Sequence, residues 1–108
     1  MNRAILLVAS QAYVLQYASR DPVYGQLVLG KLRRRGLCLS SRTVRALLDA
    51  MAKKGWLRAK PGDRAAKREY LLTGKGAREL VAVRRIVADL HWEIGHGAQH
   101  SLMHANHR

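Results

Sequence analysis

The stretch LSSRTVRALLDAMAKKGWL, Leu39 to Leu57, constrains the fold of this chain more than any other. Val44, Leu47, Leu48 and Met51 recur at the i, i+3, i+4, i+7 spacing of an amphipathic helix, which predicts one buried stripe. Ser40 or Ser41 supplies its N-cap. Lys53 and Lys54 complement the carbonyl end of the helix, and Gly55 stops it. Arg42, Thr43, Arg45 and Ala46 lie off the stripe. Such a helix packs by one side and presents two arginines and a threonine from its first turns to something outside its own core.

The flanking segments predict what surrounds it. Residues 3–19 read as a helix, with Ile5, Leu6, Ala9, Ala12, Tyr13 and Gln16 near one side and a candidate bend at Ser10 and Gln11. Asp21 as N-cap and Pro22 at a first helical position restart the chain. The second helix then runs through VYGQLVLGKLRRR, anchored by Leu27, Val28 and Leu32 and ended by Gly36. Leu37–Leu39 alternates like a short strand, and WLRAK and REYLLT read as two more strands around the turn-forming PGDRAAK. Thr73 caps a last helix, GKGARELVAVRRIVADLHWEI, before Gly95 and Gly97 loosen the chain.

In that helix Leu80, Val83, Val87, Leu90 and Ile94 alternate steps of three and four, a heptad seam held for about two heptads. A seam this narrow suits a second copy of the chain, with Trp92 beside the interface; the competing reading is packing on the first helix of the same domain. The expected division is residues 1–74 as a winged-helix domain with its N-terminal helix, 75–95 as a dimerisation helix and 96–108 as a histidine-rich tail.

Charge narrows the function. Across 108 residues, 20 Lys and Arg face 7 Asp and Glu, a formal net charge of +13. An imbalance this large predicts a polyanionic partner, nucleic acid ahead of an anionic membrane. The one cysteine, Cys38, excludes an intrachain disulfide and reads as a small, partly buried residue between two leucines. The apolar run from Ala4 to Ala9 is short for a signal peptide, and no stretch is long enough for a membrane span, so a cytoplasmic protein without a membrane partner is expected. Catalysis is not expected: there is no Ser-His-acid set, no paired carboxylates and no phosphate-cradling glycine loop.

The element order is helix, helix, small strand, helix, hairpin, helix. It predicts a mostly α fold with a small β-hairpin wing, a winged helix-turn-helix followed by a C-terminal dimerisation helix. In that arrangement the Leu39–Leu57 helix packs with one face and reads double-stranded DNA with the other. Ser40, Ser41, Arg42, Thr43 and Arg45 are the expected base contacts, arginine being able to grip guanine with two hydrogen bonds. Arg33, Arg34 and Arg35, ending the preceding helix after Lys31, are expected phosphate contacts. Arg64, Lys67 and Arg68 of the hairpin and Tyr24 at the second helix complete that set.

These residues resemble a known family. DPVYGQLVLGKLRRRGLCLSSRTVRALLDAMAKKGWLRAK and KREYLLTGKGAREL are similar to the PadR-type winged-helix transcriptional regulators, in a small form with one C-terminal helix. Tyr24-Gly25, the Ser40–Thr43 opening, the run from Leu47 to Leu57 and the Arg68–Gly76 stretch REYLLTGKG carry the resemblance. MarR-type regulators share the Leu-Thr-x-x-Gly part but have a larger C-terminal region. The chain departs from the family where Arg45 and Gln26 stand in place of aromatic residues. The resemblance implies a homodimeric repressor on a palindromic operator, released by a small-molecule or other effector.

All 5 histidines crowd between His91 and His107. His96, His100 and His104 are spaced by four, with His107 three further on, so a helix would set them on one face as imidazole ligands for a divalent Zn, Ni, Co or Cu ion. No cofactor is required by any other feature. The competing function classes are a non-specific RNA- or ribosome-associated basic protein, and a metal-binding protein that uses the histidine tail.

Overall fold

A computed structural model describes residues 1–61 and 67–107, with side chains described as far as residue 95. The order is α1 (Arg3–Ala18), α2 (Gly25–Arg34), α3 (Ser41–Lys53), β1 (Leu57–Ala59), β2 (Tyr70–Leu72) and α4 (Gly74–His107). Mostly helical with one antiparallel hairpin, it is the predicted winged helix-turn-helix.

α1 starts under Asn2, whose side-chain oxygen accepts from the amides of Ala4 at 2.8 Å and Ile5 at 3.4 Å. The helix continues through Ser10 and Gln11 without the expected break. Ser10 is fully buried, and its Oγ donates to the Leu6 carbonyl at 2.7 Å, which satisfies the hydroxyl inside its own helix.

The restart differs from expectation. α2 begins at Gly25 with Tyr24 as N-cap and no side-chain cap, so neither Asp21 nor Pro22 plays its predicted part. The cause is tertiary: Val23 exchanges two backbone hydrogen bonds with Tyr70, at 3.0 and 2.7 Å, and this bridge holds the chain extended. The hairpin is therefore extended only by a single bridge at Val23. Leu37–Leu39, read as a short strand, forms none. Leu37 and Leu39 are core side chains, and the alternation of an extended segment turns Cys38 outward, so the expected partly buried cysteine is exposed.

α3 buries the whole predicted stripe, Val44, Leu47, Leu48 and Met51. Beyond its last turn Gly55 takes φ +83°, a left-handed conformation that a Cβ disfavours. β1 and β2 pair with Leu57 opposite Leu72 and Ala59 opposite Tyr70, and the Lys60 amide donates to the Glu69 carbonyl at 2.8 Å. The core lies behind α3, where Leu48 and Met51 join a cluster that includes Val14 and Leu15 of α1 and Val28 and Leu32 of α2.

Thr73 fastens the start of α4 to the wing. Its Oγ1 accepts from the Gly76 amide at 2.9 Å, and its hydroxyl donates toward the carbonyls of Gly55 and Trp56. Leu80 belongs to the chain's own core, which removes it from the predicted dimer seam, and Val83 packs against that core. Arg84 donates twice to the Gln16 side chain, at 2.7 and 3.2 Å, closing the α1–α4 contact. From Arg84 to Gly95 every residue is exposed. The helix continues past Gly95 and Gly97, where loosening was expected. Glycine lowers helix propensity by about 1 kcal/mol, but extending a formed helix needs no new nucleus. No helix among the described residues is long and apolar enough to cross a membrane.

Candidate nucleic-acid interface

The first turn of α3 is built by its cap. Ser40 Oγ accepts from the Thr43 amide at 3.1 Å and lies 2.9 Å from Thr43 Oγ1. Both hydroxyls are thus engaged in shaping the helix start, whereas Ser41, Arg42 and Arg45 stand exposed beyond it. Ala46 is exposed on the same helix and offers a methyl group. The helix start is therefore ordered by residues that do not need to reach outward, and extended by residues that can.

Tertiary structure adds partners from two other elements. Ser41 and Arg45 line a shallow niche of about 60 Å³ together with Gly25 and Gln26 of α2, and Arg68 and Tyr70 of the wing. That is room for about two water-sized groups. Sequence reasoning missed Gly25 and Gln26 in this role, because they approach Arg45 only after the α2–α3 turn closes. Tyr24, predicted as a phosphate contact, is 38% exposed at the N-cap of α2.

A second contact holds the wing to α3. Tyr70 Oη donates to Asp49 Oδ1 at 2.6 Å. Asp49 is the only acid between Lys31 and Lys60, and this bond occupies its oxygen on an otherwise basic face. Burial pushes the Tyr70 hydroxyl above its ordinary pKa, the hydrogen bond and charge of Asp49 push the same way, and Arg68 opposes them. The phenol therefore stays protonated as a donor. Its backbone is already paired with Val23, so one residue ties the approach to α2, the wing and α3 together.

A Tyr70→Phe protein should lose about 1.5 kcal/mol of stability, the usual worth of a hydrogen bond to a charged group. The pH dependence has a defined sign. The raised pKa makes the contribution complete below the unfolded-state value of 10.0, and it is lost as pH rises through the higher folded value. Urea unfolding of both proteins from pH 8 to 11 checks this: their difference should be flat and then shrink. A difference that grows with pH would contradict the assignment.

The remaining predicted contacts divide. Arg33, Arg34 and Arg35 are exposed at the end of α2, and Lys67 is exposed after the hairpin tip. Arg64 lies outside the described residues. So do the side chains of His96, His100, His104 and His107, although α4 extends along their backbone. Among the residues with described side chains, no group of three or more His, Cys, Asp or Glu could hold a metal ion.

Trp56 packs against the core and lines a groove between α1 and α4, with Lys54 Nζ 4.6 Å from its ring centroid. The groove measures about 540 Å³ and is walled by Ile5, Val8, Ile86, Val87 and Leu90, all exposed. Trp92 and Ile94 add 59% and 64% exposure farther along α4. This is a long apolar surface for so small a chain.

No protein-family model matches the sequence, and no curated protein matches it. Solved structures do. A PadR family transcriptional regulator from Eggerthella lenta superposes with a TM-score of 0.68 at 22% identity, covering 85% of this chain and 83% of the other. A PadR family regulator from Clostridium difficile gives 0.60 at 15% identity, with 87% and 97% covered. MepR of Staphylococcus aureus, in a complex with DNA, gives 0.59 at 16% identity, with 92% and 79% covered. The chain therefore has a winged helix-turn-helix fold. It is the fold of PadR-type transcriptional regulators, shared with MepR.

Proposed function

We propose that the protein is a sequence-specific, homodimeric DNA-binding transcriptional regulator, a repressor released by an effector. The observation that carries this reading is the convergence of Ser41 and Arg45 of α3 with Gln26 of α2 and Arg68 of the wing around one niche, beside which Arg42 stands exposed on α3. MepR, which shares the fold, was solved bound to DNA, which supports the same partner here. Ser41, Arg42 and Arg45 approach base edges in the major groove, and Ser40 and Thr43 shape the helix that presents them. Arg68 with Lys67 and Arg64 meets phosphates beside it. The apolar α1–α4 surface takes a second copy of the chain, which sets two recognition helices on a two-fold symmetric operator.

Selection of genomic fragments on the purified protein at near-physiological salt tests this directly. A two-fold symmetric site should emerge. Recovery of duplexes with no shared sequence would instead support a general nucleic-acid binder. Repeating the selection with a chelator tests whether a divalent ion at His96, His100, His104 and His107 is the effector. On the selected site, Arg45→Ala should reduce discrimination against random DNA by about 1–3 kcal/mol. Equal loss on both sequences would remove Arg45 from base reading.

A further inference from the structure

The two ends of α2 carry different surfaces. Its N-terminal end belongs to the niche with Arg45 and Arg68, whereas its C-terminal end closes a separate cleft of about 410 Å³ against the end of α1. The cleft is lined by Tyr17, Arg20, Lys31, Arg34 and Arg35, with Asp21 as the one carboxylate. Gly25 and Arg34 are separated along the helix axis by about 14 Å at the usual helical rise.

The cations are held by aromatic faces. Lys31 Nζ lies 4.8 Å from the Tyr17 ring centroid, and the Arg35 guanidinium lies 5.6 Å from that of Tyr13. Tyr13 and Tyr17 stack with centroids 6.0 Å apart. A ring face orients a cation without neutralising it, so the positive charge remains available. Among the described residues, none of Arg20, Lys31, Arg34 and Arg35 forms a salt bridge. Lys31 repels Arg34 and Arg35 at i+3 and i+4, and the helix dipole offsets this only in part. Arg20 adds a further cation from outside the helix. The Tyr17 hydroxyl is buried without a hydrogen-bond partner, leaving an unmet polar group in the residue that supports Lys31.

We infer that this cleft is a second phosphate-binding site, distinct from the niche at the recognition helix. Arg20, Lys31, Arg34 and Arg35 bind phosphoryl oxygens, and Tyr13 and Tyr17 hold two of those cations in place. The phosphate comes either from DNA backbone flanking the recognised sequence or from a small organophosphate. Both present anionic phosphoryl oxygens to the same cations, a backbone phosphodiester with one negative charge per phosphate and a terminal phosphate with up to two.

The test uses the full chain, pyrophosphate and duplex DNA as probes. Arg20→Gln with Arg34→Gln alters the cleft, and Arg45→Gln with Arg68→Gln alters the niche. In calorimetric titration at low salt, the cleft variant should bind pyrophosphate roughly tenfold or more weakly, as expected for lost charge-assisted hydrogen bonds. The niche variant should stay close to the unaltered protein. Weakening by the niche variant alone, or no loss in the cleft variant, overturns the site. This arm is independent of the DNA-reading proposal. In the duplex arm, the cleft variant should weaken all sequences alike and lower the salt slope by about 1 to 2 if the source is DNA backbone. An unchanged slope together with lost pyrophosphate binding assigns the cleft to a small organophosphate. Thermal melting of both variants verifies that the fold is intact.

Discussion

A Gly76→Ala protein is expected to lose about 3 kcal/mol, the upper end of the usual cost of overpacking, with a fall in Tm on the order of 10–20 °C. Gly76 is buried in the first turn of α4, where the helix crosses the wing. A Cβ there would overlap the Trp56 carbonyl oxygen and stand 2.7 Å from Leu72 Cδ1. Relief requires moving backbone, because Thr73 fixes both sides through its bonds to the Gly76 amide and to the Gly55 and Trp56 carbonyls. Gly30→Ala is the control, since nothing lies within 4 Å of a Cβ built there. In a helix interior that change should stabilise by about 0.5–1 kcal/mol. Thermal unfolding followed by circular dichroism compares the two. A Gly76→Ala protein as stable as the original would show that α4 does not press on the wing in this way.

Leu90→Glu should convert the proposed dimer to a monomer by light scattering and reduce affinity for a two-fold symmetric operator by roughly a hundredfold or more, through loss of bivalent binding. Leu90 is 54% exposed within a single chain, so the substitution leaves the protomer's own core untouched. Its thermal stability at concentrations too low for association should therefore change little. The charge instead enters the α1–α4 groove beside Ile86 and Val87, where a partner would desolvate it. An unchanged dimer would place the partner elsewhere. A monomer that retained full operator affinity would separate DNA reading from dimerisation.

The resemblance to PadR-type regulators rests on residues whose physical roles the structure makes specific. Thr73 and Gly76, the Thr and final Gly of the Leu-Thr-x-x-Gly stretch, are the cap and the close approach that join α4 to the wing. Arg45, which stands where the family has an aromatic residue, shares its niche with Gln26, the other departure. The two departures are thus neighbours in space. They give this niche a guanidinium and an amide in place of two aromatic rings.

Much of this protein follows from local pattern. The period of Val44, Leu47, Leu48 and Met51 determined the buried face of α3, and therefore which residues point away from the core. Ser40, Gly36, Gly55 and Thr73 determined where helices start and stop, since caps and left-handed turns are decided within a few residues. Where pairing over long separations competes with local preference, the tertiary structure decided. Val23 bonds Tyr70 and draws Asp21 and Pro22 out of helix, while the Leu37–Leu39 segment, equally strand-like by alternation, forms no strand and sends only Leu37 and Leu39 into the core. Leu80 and Leu90 belong to one heptad pattern, yet one packs inside the chain's own core and the other lies open in the groove between α1 and α4. Arg34 and Arg68 are both simply basic in the sequence. Only the fold assigns one to the cleft at the end of α1 and the other to the niche beside Arg45, since charge is written residue by residue and a binding surface exists only once elements meet.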